Sequence, residues 1–197
     1  MDRFNNMFEQ VLILGILVLL GGSRNLQTAV YSAASLIIIS LILRGFSSLL
    51  NRDKLAGAHW VLFLALGISL SYSAYLISAV LYPEIYQYSG MYILLIGVTP
   101  LTYYGCKTEV SMGGLWKRLN IFFITIVLVS FFRELLGFGS VLGRSFFEVG
   151  FAPLGSFEGT PGAFIILGTL WLLVRKLLSV NIISDTIFEL EEGAQSE

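Results

Sequence analysis

Hydrophobic residues along this chain fall into six long runs, which polar and glycine-rich stretches separate. The runs cover residues 11–20, 29–43, 60–81, 91–104, 121–136 and 162–178. A helix needs about 20 predominantly apolar residues to cross a bilayer. The third run reaches this length alone, the second, fifth and sixth reach it with their flanks, and the first and fourth are shorter. The pattern predicts an all-α membrane protein with six transmembrane helices.

The composition supports lipid as the solvent for most of the chain. Of 197 residues, 56% are hydrophobic and only 13% are charged, and the mean hydropathy is +0.81. A soluble domain carries about 25% charged residues. The net charge of −1 supplies no basic field that would attract nucleic acid. The composition therefore argues against a soluble enzyme and against a nucleic-acid binder.

The two short runs, the first and the fourth, both end in glycine. Short, glycine- or proline-interrupted segments at matching places in two halves are typical of inverted repeats whose broken helices meet near the membrane midplane. We therefore predict two inverted three-helix repeats, at about 8–82 and 90–180, with the first and fourth helices broken. The breaks are predicted around 21–24 and 99–105, facing each other. Ordinary helices with polar extensions remain the alternative.

Basic residues indicate the orientation. With six crossings, one side of the membrane receives Arg3, Arg44, Arg52, Lys54, Lys107, Lys117, Arg118, Arg175 and Lys176. The other side receives Arg24 and Arg144 in loops, and Arg133 lies near a helix end. Because positive residues stay cytoplasmic, we predict a multi-pass protein of a bacterial or archaeal cytoplasmic (inner) membrane with both termini inside. The transmembrane domain would occupy residues 1–180, and residues 181–197 would form an acidic cytoplasmic tail.

Residues with ligand chemistry are scarce. Cys106 is the only cysteine and His59 the only histidine. One thiol forms no internal disulfide, and neither residue alone supplies a metal site. The sequence predicts that side chains of this chain ligate no iron–sulfur cluster, haem or flavin.

Three motifs carry a resemblance to a known family. Residues 131–143 read FFRELLGFGSVLG, residues 161–168 read PGAFIILG, and residues 26–29 read LQTA. They resemble the F-F-R-E-L-L-G-x-G-x-x-x-G, P-x-A-F-x-x-x-G and L-E-T-A elements of RnfE/NqrD-type membrane subunits of the Rnf/Nqr electron transport complexes. Segment order and loop lengths are also similar over nearly the whole chain.

The resemblance implies a six-helix inverted-repeat subunit of a multisubunit respiratory enzyme. Such enzymes pass electrons from NADH or reduced ferredoxin through flavins and iron–sulfur clusters, coupled to Na⁺ or H⁺ movement. It also implies a homologous, oppositely oriented partner subunit, with which the family shares an intramembrane iron–sulfur cluster. Each subunit of such a pair supplies one cysteine from each broken helix.

This chain departs from that pattern at both cysteine positions. The elements similar to G-x-C and T-N-C place Leu17 and Leu101 there. Because a cluster of this type takes four thiolates, we expect a non-catalytic subunit that serves as a scaffold or in ion coupling. Iron–sulfur clusters and flavins would then lie in partner subunits. An inverted-repeat transporter or channel subunit, or an assembly anchor without a redox role, remains the alternative.

Two residue pairs are candidates for an ion path or a subunit contact. Arg133 and Glu134 are ionisable residues within a membrane segment, which is a functional hypothesis by default, although a structural role near the helix end is the alternative. Thr99 and Pro100 interrupt the fourth helix because proline lacks a backbone donor. The carbonyls that this interruption frees would either bind a cation or serve the architecture alone.

Overall fold

The computed structural model of the protein describes residues 2–49, 59–106, 110–141, 144–145, 159–174 and 176. The helices are α1 (Asp2–Gly22), α2 (Leu26–Leu49), α3 (His59–Leu81), α4 (Pro83–Leu95), α5 (Pro100–Tyr104), α6 (Met112–Arg133) and α7 (Thr160–Val174). A π-helical turn, Glu134–Phe138, continues α6, and strands β1 (Ser140–Val141) and β2 (Arg144–Ser145) pair antiparallel after it. The prediction of an all-α protein is confirmed, apart from this small hairpin. The predicted tail, residues 181–197, lies outside the described residues.

Three of the described helices are long and apolar enough to cross a membrane. They span Leu26–Leu49, Trp60–Leu81 and Met112–Gly137, whereas the apolar helices Met7–Gly22 and Thr160–Val174 are shorter. The outward faces of these helices are themselves apolar, with large exposed side chains such as Val61, Val80 and Ile124. Soluble monomers rarely expose contiguous apolar surface of this extent, so the outer surface is compatible with contact to lipid.

Helices α2 and α6 lie antiparallel at the centre of the bundle. The start of α2 meets the end of α6, because Leu26 is hydrogen-bonded to Glu134, and Arg44 near the end of α2 binds Val110 just before α6. Helix α1 packs against α6, and α5 packs against α2. The core between these helices is apolar and fully buried at Leu36 and Phe122.

The first interruption of helical structure is the turn at residues 23–25, where it was expected. Helix α1 itself is continuous from Asp2 to Gly22. The N-terminal run contains no proline that would remove a backbone donor from the helix. The interruption is therefore the connection between α1 and α2.

The second interruption begins earlier than predicted. Helix α4 ends at Leu95, Thr99 is extended, and Pro100 is the first residue of the helix α5. Proline suits that position because the first helical N–H has no intrahelical acceptor. The first interruption lies against the end of α6, whereas Gly97 of the second lies against α3. The prediction that the two breaks face each other is therefore wrong.

Candidate functional site at the turn between α1 and α2

The turn at residues 23–25 is closed by local hydrogen bonds. The Asn25 backbone N–H donates to Thr28 Oγ1 over 3.0 Å, and the Thr28 hydroxyl donates to the Asn25 carbonyl over 2.7 Å. The Asn25 carbonyl also accepts the N–H of Ala29. Asn25 thus occupies the position before α2, and Thr28 reaches back to it as in a capping box. At the other side of the turn the Ser23 hydroxyl donates to the Leu19 carbonyl.

Arg133 binds the end of α1. Only 3% of this residue is exposed. Its Nη1 donates to the Leu20 carbonyl and to Ser23 Oγ, each over 3.0 Å, and its Nη2 donates to the Gly159 carbonyl over 3.2 Å. The last carbonyls of a helix have no intrahelical donor, and they carry a partial negative charge. The guanidinium therefore satisfies both the hydrogen bonding and the charge of this helix end.

Glu134 binds the start of α2. Its Oε2 accepts the backbone N–H of Leu26 over 2.9 Å, and 7% of the residue is exposed. A carboxylate is favourable at a helix N-terminus, where the first N–H groups lack acceptors. Neighbouring helical residues project roughly 100° apart. The two side chains therefore reach two different helix ends, and we call Arg133 and Glu134 the α1–α2 clamp.

A second set of contacts joins the end of α2 to the segment after α5. Arg44 Nη1 donates to the Gly105 carbonyl over 2.7 Å, and its Nη2 donates to the Val110 carbonyl over 3.0 Å. The Ser47 hydroxyl donates to the Cys106 carbonyl over 3.4 Å. As at the α1–α2 clamp, side chains from the end of a central helix bind the carbonyls that end a peripheral helix.

The two sets of contacts are related by one sequence shift. Ser47 and Arg133 lie 86 positions apart, and so do their acceptors Cys106 and Leu20. Seven of the eight buried residues of α6 lie 86 positions after a buried residue of α2; the α2 members are Ala29, Ala33, Leu36, Ile39, Ser40, Leu43 and Ser47. The buried faces of two helices can match at some shift by chance, because each repeats every three or four residues. This periodicity does not explain why the contacts of Ser47 with the Cys106 carbonyl and of Arg133 with the Leu20 carbonyl match at the same shift.

Thr99 and Pro100 lie at an interruption whose carbonyls are already hydrogen-bonded. The hydroxyl of Thr99 donates to the Leu95 carbonyl over 2.7 Å, and that of Thr102 donates to the Ile96 carbonyl over 2.8 Å. The Tyr103 hydroxyl donates to the Gly97 carbonyl. The Leu95 and Ile96 carbonyls also accept the N–H groups of Val98 and Thr99, over 3.0 and 3.2 Å. These bonds serve the architecture of the turn, because they pair carbonyls next to the interruption.

The structure does not bring together Leu17 and Leu101, the positions to which the resemblance assigns cluster cysteines. Leu101 is fully buried, and its Cδ2 lies 3.4 Å from the point that a Cβ on Gly15 would occupy. Leu17 follows Gly15 by two residues, which turns it by roughly 200° to the opposite face of α1, and it is 40% exposed. Neither side chain carries a ligating atom. These residues do not fit the shared cluster that the resemblance implies.

Cys106 is the other candidate ligand that the structure places. It is buried at the end of α5. Within the described ranges, no group of three or more histidine, cysteine, aspartate and glutamate residues is placed to hold a metal ion. That the side chains of this chain ligate no cofactor stays a prediction.

Sequence reasoning identified Arg133 and Glu134 but not the groups that they bind, and it did not propose Arg44, Ser47, Thr102 or Tyr103 as site residues. A basic residue near the end of a helix is the signal that points to Arg44, since cations favour helix C-termini. The hydroxyls carried no such signal, because their acceptors are backbone atoms of other segments. Comparison of the sequence with known proteins found no matching protein-family model and no matching curated protein.

Proposed function

We propose that this chain is an integral membrane subunit of a multisubunit respiratory electron-transfer complex of the Rnf/Nqr type. In that role it serves as a scaffold or in ion coupling, without a redox centre of its own. A homologous, oppositely oriented subunit is its partner, and flavins and iron–sulfur clusters lie in other subunits. The electron donor is NADH or ferredoxin, and the coupled ion is Na⁺ or H⁺.

The observation that carries this proposal is the convergence of three motifs at the α1–α2 clamp. Arg133 and Glu134 belong to the element at residues 131–143, and Leu26 begins the element at residues 26–29. Gly159, the third partner of Arg133, lies two residues before the element at residues 161–168. The three segments that resemble the family are distant in sequence, yet hydrogen bonds join them or their immediate flank. A shared structural requirement at this turn explains why all three resemble the family together.

The shift of 86 positions supports an inverted repeat. In this arrangement α1 corresponds to the α4–α5 pair, α2 corresponds to α6, and α3 corresponds to α7. The α1–α2 clamp has its counterpart in Arg44 and Ser47, because each central helix binds the end of the first helix of the other repeat. Reciprocal contacts of this kind are expected when two repeats are related by a pseudo-twofold axis in the membrane plane. The break before Pro100 has no counterpart in α1, where Leu14 stands at the corresponding position.

The contacts also support the proposed orientation. Arg118 Nη2 donates to Gln10 Oε1 over 3.1 Å, and Arg44 binds the Gly105 carbonyl, so both cations lie at the end of the bundle where α1 and α6 begin. This end carries more basic residues than the end with the α1–α2 clamp, and it is the cytoplasmic one by the positive-inside rule.

Ion flux separates this role from that of an independent transporter. Inverted membrane vesicles with the chain deleted should lose ion uptake that is driven by NADH or reduced ferredoxin, and the wild-type chain should restore it. Proteoliposomes that contain this chain alone should show no Na⁺ or H⁺ flux above protein-free liposomes. Flux by the chain alone, together with undiminished donor-driven uptake in the deletion vesicles, would favour a transporter or channel subunit instead.

The cysteine substitutions Leu17→Cys and Leu101→Cys test the absence of a redox centre. Because these side chains lie in different surroundings, the double variant should bind no more iron per complex than wild type does. An additional iron–sulfur signal in its electron paramagnetic resonance spectrum would show that the two positions meet at a shared site.

A further inference from the structure

An apolar groove runs between α6 and α7 on the outside of the bundle. Its volume is about 720 Å³, and Phe8 of α1 also lines it. The wall consists of residues such as Ile124, Leu128 and Leu170, together with two threonines. The hydroxyls of Thr125 and Thr169 donate to the Ile121 and Ile165 carbonyls of their own helices over 2.7 and 2.8 Å. Their protons are therefore engaged, and the groove favours an apolar occupant.

Two lysines continue the walls of the groove past one of its ends. Helices α6 and α7 run antiparallel, because the start of α7 lies beside the end of α6, where Arg133 binds Gly159. Lys117 precedes Ile121 of the groove wall by four residues, so it lies on the groove face of α6. Lys176 follows Leu173 of the groove wall by three residues and lies just past the end of α7. Both lysines are exposed. The groove thus combines an apolar channel with two ammonium groups at the end that we assign to the cytoplasm.

We infer that this groove binds an anionic phospholipid, with its acyl chains between α6 and α7 and its phosphate beside Lys117 and Lys176. Basic residues at the cytoplasmic mouth of an interhelical groove are suited to recognise anionic headgroups. A transmembrane helix of a partner subunit would also fill the apolar part, but it would not use the two positive charges. The inference rests on the membrane placement proposed above, and it is independent of the redox role.

The test uses the purified full-length chain in detergent and counts bound lipid by native mass spectrometry. The probes are dioleoyl phosphatidylglycerol, which is anionic, and dioleoyl phosphatidylcholine, which is zwitterionic. A basic residue near an anionic surface contributes about fivefold in affinity, so Lys117→Gln combined with Lys176→Gln should weaken phosphatidylglycerol binding about 30-fold. The matched control, Arg52→Gln with Lys54→Gln, removes two charges from the segment between α2 and α3 and should leave binding unchanged.

A second pair of variants tests the apolar part of the groove. Leu128→Trp fills the groove and should weaken the binding of both lipids, whereas Leu62→Trp on the outer face of α3 should not. These two leucines are matched in exposure, at 40% and 39%. Equal binding of the two lipids by the wild-type chain would overturn the inference, and so would phosphatidylglycerol binding that the two lysine substitutions leave intact. Lipid binding and donor-driven ion uptake are measured separately. A negative lipid result is therefore distinguishable from failure of the proposed function.

Discussion

Arg133 and Glu134 are adjacent in the sequence and cap the facing ends of two consecutive helices. The guanidinium binds the last carbonyls of α1, and the carboxylate binds the first N–H of α2. A buried charge is costly unless hydrogen bonds and opposite partial charges compensate it. Here the two helix ends supply both. The pair therefore holds the turn between α1 and α2 in place.

We expect substitutions of the α1–α2 clamp to lower the free energy of unfolding, and the loss should grow with the number of hydrogen bonds that each substitution removes. Glu134→Gln keeps an acceptor for the Leu26 N–H but loses the charge, at a cost of about 1 kcal/mol. Glu134→Ala leaves that N–H unpaired, at about 1–3 kcal/mol. Arg133→Met removes three hydrogen bonds and should cost more than either. Cys106 is the only thiol and is buried, so its reaction with a thiol-reactive dye during heating measures unfolding.

Two exposed residues serve as controls for these variants. Glu84 is an exposed acidic residue in the first turn of α4, and Gln87 is an exposed polar residue of the same helix. Glu84→Ala should cost less than about 1 kcal/mol, because water screens its interaction with the helix end, and Gln87→Met should leave the midpoint of unfolding almost unchanged. An unfolding midpoint of Glu134→Ala or Arg133→Met equal to that of its control would contradict the role of the clamp.

Gly21 is predicted to tolerate no side chain while Tyr92 is present. A Cβ on Gly21 would lie 1.9 Å from Cδ1 of the Tyr92 ring, so Gly21→Ala should cost about 1–3 kcal/mol through overpacking. Tyr92→Leu in the same chain should recover part of that loss. Gly45→Ala is the matched control, because nothing lies within 4 Å of its added Cβ, and alanine there favours the helix by up to about 1 kcal/mol. Equal midpoints for Gly21→Ala and Gly45→Ala in the same assay would show that Gly21 is not closely packed.

The hydroxyls at the second interruption should contribute measurably to stability. Tyr103→Phe removes the hydroxyl that donates to the Gly97 carbonyl and should cost about 1–3 kcal/mol. Thr102→Val should cost less, because the Ile96 carbonyl keeps the N–H of Thr99 as a donor. Thr169→Val is the control, because its hydroxyl binds a carbonyl of its own exposed helix face. A Tyr103→Phe variant that unfolds at the wild-type temperature would indicate that the Gly97 carbonyl has another partner, such as a bound cation.

The hydrophobic pattern predicted the helices well and their contacts poorly. The run at residues 60–81 became α3 almost to the residue, because length and apolarity suffice to identify a membrane-spanning helix. Two partners of Arg133, Leu20 and Ser23, lie more than 100 positions away in the sequence, and no local propensity specifies them. The fourth run was predicted to break at Pro100, but proline instead begins α5, because it is favourable at the first position of a helix.

Both termini are predicted to face the cytoplasm. A reporter that is active only in the cytoplasm should be active when fused after Glu197 or before Met1, and a reporter that matures only outside should be inactive at both ends. Replacing Lys117 and Arg118 with glutamine should increase the outward-facing fraction, because it weakens the basic bias of one side. Reporter activity outside the cytoplasm at either wild-type terminus would contradict six crossings with both ends inside.

The cofactor content of the native complex tests the central proposal most directly. The chain, tagged after Glu197, is purified from native membranes in mild detergent, and flavin and iron are measured per copy of the chain. We expect flavin- and iron-containing subunits to co-purify in fixed stoichiometry, and Cys106→Ser to leave the iron content unchanged. Recovery of the intact chain in a stable assembly that holds neither flavin nor iron would contradict a role in an electron-transfer complex.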